Sequence, residues 1–154
     1  MKKRNIILKA SYCVSISYSK IVFSKSTSHI MAITKEEVYE MTKGSISIDQ
    51  VMLKHKTSAH IAVVMKRNKI LAVASNSVGS RSRGCGYAER TIHAERAVLK
   101  KIGDVRQLQG AILIVLRISR GLREIVNSEP CHSCKCHLEK CMKEYGLRNV
   151  YYSA

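Results

Sequence analysis

Two short segments hold residue types able to do chemistry together: His93-Ala94-Glu95 and Pro130-Cys131-His132-Ser133-Cys134. Imidazole and thiolate are the borderline and soft donors that suit Zn²⁺, and a carboxylate close by need not bind it. With His93, Cys131 and Cys134 as ligands, a tetrahedral ion keeps its fourth position open to water, which is the pattern of a catalytic zinc. The cation acidifies that water. A group must then carry protons from the water to the substrate and on to the leaving group, and Glu95, two residues from a ligand, can reach both.

Helix starts should position these groups. Thr91 to Ile102 reads as a helix with Ala94, Ala97, Val98 and Ile102 on one face. A second helix opens with Pro130 as its first residue and runs through Leu138 and Cys141 to Gly146, a natural stop. The partial positive charge at a helix N-terminus is expected to lower the thiol pKa of Cys131 and Cys134. Upstream, Thr34-Lys35-Glu36-Glu37 has the form of a capping box, with Thr34 as N-cap, opening a helix from Lys35 to about Lys54 that breaks near Gly44.

His60 to Lys66 and Ile70 to Ser75 form a hairpin about Arg67-Asn68-Lys69, and Asn76 to Arg90, with three glycines, forms a loop. Gly110 to Ile118 is a strand so continuously apolar that both its faces must be covered, and Asn149 to Ser153 is a closing strand. The order β-β-α-β-α-β predicts a three-layer α/β/α domain with a mixed sheet opened by a β-hairpin.

The chain has 154 residues, 45% of them hydrophobic, enough for one core without disulfides. Four of the six cysteines crowd between Cys131 and Cys141, where mutual pairing is awkward, so metal binding in a reducing compartment fits better than a secreted scaffold. No apolar run approaches the roughly 18 residues of a membrane span, and the expected setting is intracellular, cytoplasmic. The charge of +16 attracts phosphates of any kind. Residues 1–30 hold Lys2, Lys3, Arg4, Lys9, Lys20 and Lys25 without one acid. They read as a basic arm or an organelle-targeting segment ahead of a domain over 31–154, with Met31 as an alternative start.

The pattern His93-x-Glu95 followed by Pro130-Cys131-x-x-Cys134 resembles the cytidine and deoxycytidylate deaminase superfamily of zinc-dependent nucleobase deaminases. The order of elements from about Ala59 to Ser153 is similar to that family's core. The resemblance implies His93, Cys131 and Cys134 as Zn²⁺ ligands and Glu95 as the general acid/base. It makes Asn76 a contact to the substrate sugar. The implied activity is hydrolytic deamination of a cytosine-type base in a nucleoside or nucleotide, with release of ammonia, by a homo-oligomer.

Two further hints do not converge on one substrate. A histidine as first ligand is similar to the deoxycytidylate, polynucleotide and tRNA branches, and Glu129-Pro130-Cys131 resembles tRNA adenosine and guanine deaminases. Editing of RNA or single-stranded DNA is therefore the alternative within the class. Outside it stands a non-catalytic nucleic-acid module whose structural zinc uses Cys131, Cys134, Cys136 and Cys141 or His137. Arg81, Arg83 and Arg90 are divided between solvated surface and phosphate binding, while Cys85 reads as an incidental loop thiol. The chain ends at Ala154, just after the last strand, where the family usually continues; a minimal or truncated member, or one completed by a partner subunit, is expected.

Overall fold

The computed structural model describes residues 30–42, 46–47, 55, 58–78 and 91–154. Residues 43–45 and 48–54 of the expected first helix, residues 1–29 of the basic arm, Arg81, Arg83, Cys85 and Arg90 lie outside the described residues. In chain order the elements are β1 (Ile30–Ile33), α1 (Lys35–Thr42), β2 (Ala59–Lys66), β3 (Lys69–Ser75), β4 (Ser77–Val78), β5 (Thr91–Ile92) and α2 (Ala94–Ile102). A 3₁₀ turn (Val105–Leu108), β6 (Ile112–Ile118), β7 (Ile125–Val126), α3 (His132–Tyr145) and β8 (Asn149–Ser153) follow.

The main sheet has the order β1-β8-β6-β2-β3, with β7 added to β6. It is mixed. β1, β8 and β6 run parallel, whereas β2 pairs antiparallel with both β6 and β3. The β2–β3 hairpin turns through Arg67 and Asn68, both at positive φ, as a tight hairpin turn twisted to match its strands requires. A register shift between Val64 and Met65 leaves Ile61 opposite Ser75.

Alternation along the strands sends two sets of side chains to opposite faces. Ala62, Val64, Leu113, Val115 and Val150 pack with Ala94 and Val98 of α2 and Leu138, Cys141 and Met142 of α3. Ile61, Val63, Met65, Ile114, Leu116 and Ile118 pack on the other face with Val38 of α1. The sheet is thus sandwiched between helices, and the apolar β6 is covered on both sides as its composition demands. α1 opens with a reciprocal cap in which the Glu37 amide donates to Thr34 Oγ1 at 3.2 Å and the Thr34 amide to Glu37 Oε2 at 2.8 Å. At the other end of the chain, α3 stops at Gly146 in the left-handed region, φ 69°. An added Cβ there would lie 3.3 Å from Gln109 Cγ.

Four details differ from expectation. Thr91 and Ile92 are not helical: they pair with Ser77 and Val78 inside what reads as loop, so α2 starts at Ala94 with His93 as N-cap. β-branched residues favour that ribbon over a first helical turn. Pro130 precedes the helix instead of opening it, since Cys131 is the N-cap of α3. β7 extends the sheet through Arg117↔Val126 and Ile118↔Ile125, a pairing too short to show periodicity. β1 lies parallel to β8 and begins at Ile30, one residue ahead of the boundary drawn from composition.

Candidate active site

His93 and Cys131 occupy equivalent places, each the N-cap of a helix packed on the same face of the sheet. Cys134 follows one turn into α3 and is buried at 1% exposure. The His93 Nδ1 atom lies 3.4 Å from Cys131 Sγ and 3.4 Å from Cys134 Sγ. All three donor atoms fall within 4.8 Å of one another, the group that could hold a metal among the described residues. This spacing fits zinc: bond lengths of about 2.3 Å to sulfur and 2.0–2.1 Å to nitrogen place tetrahedral N and S donors roughly 3.5 Å apart.

Cys136 and Cys141 do not join the cluster. The thiol of Cys136 is exposed and sits 3.6 Å from His132 Nε2 on the same helix, while Cys141 is buried among core side chains. The four-ligand structural site is therefore not assembled. His137 is half-buried, and burial followed by the charges of Arg96 and Lys140 pulls its pKa down.

Beside the donors is a cavity of about 240 Å³ lined by His60, Asn76, Thr91, His93, Ala94, Glu95, Glu129 and Cys131. Glu95 is only 5% exposed, so its carboxylate is held out of bulk water at the wall of this cavity. Asn76 is fixed by its neighbour: the His60 amide donates to Asn76 Oδ1 at 2.9 Å, and the Asn76 amide donates to the His60 carbonyl at 3.0 Å. With Oδ1 engaged, the side-chain NH₂ of Asn76 is the group left to address the cavity. All the residues singled out at the site from sequence, His93, Glu95, Cys131, Cys134 and Asn76, meet at this one place.

Electrostatics correct one expectation. The Cys134 thiol is pushed up to about 12, first by burial, then by the Glu95 carboxylate and by Cys131, with Arg96 opposing. The positive end of α3 does not outweigh these, so the thiolate needs the cation itself. His60 is lowered by burial, by Arg117 and by His93, which favours a neutral imidazole.

Other contributors were not evident in the sequence. Arg96 donates from Nη2 to Ser133 Oγ at 2.9 Å, tying α2 to the first turn of α3 between the two cysteines. Its position beside Glu95 was the available signal. Lys135 pairs with Glu129 at the cavity rim. His60 enters because the register shift in β2–β3 sets it against Asn76.

Residues 34–154 match the family model described as the cytidine and deoxycytidylate deaminase zinc-binding region. No curated protein matches. The chain is similar to solved structures of the dCMP deaminase from the cyanophage S-TIM5. Against the apo form identity is 21%, over 78% of this chain and 84% of that one, with TM-score 0.46. Against its complex with dCMP and dUMP, identity is 19%, over 79% and 85%, with TM-score 0.47.

Proposed function

The chain belongs to the cytidine and deoxycytidylate deaminase zinc-binding family, and from that premise we propose that this zinc deaminase hydrolyses the exocyclic amine of a cytosine-type base in a nucleoside or nucleotide. The observation that carries the reading is the convergence of His93, Cys131 and Cys134 beside a buried Glu95 at one cavity. In this reading the three donors hold Zn²⁺, which supplies the Lewis acidity that makes water a competent nucleophile near neutral pH.

The protein's own groups do the rest. Glu95 takes a proton from the attacking water and passes it to the ring nitrogen next to the amine, then takes the proton of the hydroxyl now on the ring carbon and delivers it to the amine, which leaves as ammonia as the carbonyl forms. Its burial at the cavity wall suits this, because it holds the carboxylate beside the reacting groups and away from bulk water. Asn76 presents its side-chain NH₂ to the sugar, and its Oδ1 bond to His60 prevents the amide from flipping. Arg96, through Ser133, keeps the first turn of α3 in line with His93.

The test is ammonia release from cytidine, dCMP, cytosine, guanine and short RNA and DNA, each offered separately to the zinc-loaded protein. Release from cytidine or dCMP is the expected result. Release from polynucleotide alone, with steep loss at high salt, would replace this reading by an editing activity.

A further inference from the structure

His60 lines the candidate site without a role in the reading above. It lines the cavity together with Asn76, His93 and Glu95. Its backbone is clamped by both bonds to Asn76, so the imidazole is presented from a fixed strand. Because those bonds turn the His60 amide and carbonyl toward β3, its pairing with Arg117 on β6 is of the non-hydrogen-bonded type, which brings Cα atoms to about 4.5 Å and side chains closest. Arg117 Nε is buried with no hydrogen-bond partner among the described residues. Burial, then the charges of Arg117 and His93, lower the pKa of the imidazole, and the carboxylates of Glu95 and Glu129 line the same cavity.

A half-buried imidazole in this position offers an N–H to whatever fills the cavity, and a cationic neighbour favours an electron-rich partner. In cytosine the amine and the sugar sit at opposite ends of the ring. If the amine lies at His93 and the cysteines and the sugar at Asn76, the edge between them carries the ring nitrogen served by Glu95 and then the C2 carbonyl oxygen. We propose that His60 donates to that C2 oxygen, with Arg117 behind it, and so selects a 2-oxopyrimidine over adenine, which has no oxygen there. A base without the acceptor leaves the His60 N–H unsatisfied in a confined cavity, which is the costly outcome.

This rests on the deaminase reading above, and its test separates the two. Affinities of the zinc-loaded full chain for uridine and its 5′-monophosphate are compared by calorimetry with those for the 2-thio counterparts, in which sulfur is the weaker acceptor. The oxo ligands should bind about 10-fold more tightly, the worth of one hydrogen bond. In His60→Phe the oxo/thio ratio should fall toward one, and His60→Gln, which keeps an N–H donor, should restore part of it. His60→Ala gives the same readout should the phenylalanine variant misfold. Cytidine against 2-thiocytidine should show the same ratio mainly in KM. Ammonia released from cytidine with an oxo/thio ratio indifferent to residue 60 overturns the inference and leaves the deaminase standing. Neither turnover nor binding of any pyrimidine ligand removes both.

Discussion

Helix α3 and its N-cap carry four cysteines, Cys131, Cys134, Cys136 and Cys141, and they have two fates. Cys131 caps the helix and Cys134 follows within a turn, and both thiols meet His93 of α2. Cys136 lies two positions beyond Cys134, which at about 100° per residue carries it to the opposite, exposed side. Cys141 returns to the buried face seven residues after Cys134, yet roughly two turns, or ~10.5 Å, farther along the axis, where it meets Leu138 and Met142 in the core. Residue type alone did not separate them. Helix phase and distance from the N-terminus did.

The strongest test of this division is removal of a donor. Cys134→Ala or His93→Ala should lose the zinc and reduce turnover to background, by elemental analysis and ammonia assay. Zinc retained in His93→Ala but lost in Cys136→Ala would reverse the division.

A second test separates metal from chemistry within the cluster. Glu95→Gln should fold, keep its zinc, and lose turnover by about 10⁴-fold, the upper end for a general acid/base, because the proposed carboxylate acts in successive steps. Loss of zinc from this variant would make Glu95 a ligand.

The third concerns pH. In the metal-free chain the Cys134 thiol is held up to about 12 against an ordinary 9.0, so the folded form keeps a proton that the unfolded chain has lost between those values. Stability of the metal-free protein is therefore full below about pH 9 and should decline as pH rises toward about 12. Zinc-loaded protein, whose thiols are already ionised, should lack that decline in thermal melts.

Smaller effects are expected at the other pair. Cys141→Ala removes a buried sulfur from the core and should lower stability by about 1–2 kcal/mol in denaturant titrations, with zinc content intact. Cys136→Ala changes an exposed side chain and should stay within about 0.5 kcal/mol of the parent, with the metal retained.

Much of the site was legible because its signals are local. His93-x-Glu95 and Pro130-Cys131-x-x-Cys134 declare donor chemistry by type and spacing, the Thr34/Glu37 box announces a helix start, and β6 proclaims its burial by an unbroken apolar run from Ile112 to Leu116. The amphipathic stripe of α2 was readable for the same reason: a period of 3.6 is written into the chain itself. By itself, then, the sequence determined which residues could do the chemistry and which elements would hold them.

Tertiary structure decided how those elements meet. Pairing of Thr91-Ile92 with Ser77-Val78 moved the start of α2 to Ala94 and made His93 a cap, because a ribbon partner distant in sequence outbid a local helical turn. The shift between Val64 and Met65 matters most. An unbroken hairpin from the Arg67-Asn68 turn would set His60 against Ser75; one extra residue on β3 sets it instead against Asn76 and beside the cavity. A bulge answers to packing across neighbouring strands, which no short-range pattern encodes, so the wall of the site that faces the ligand was fixed only when the sheet closed around β2.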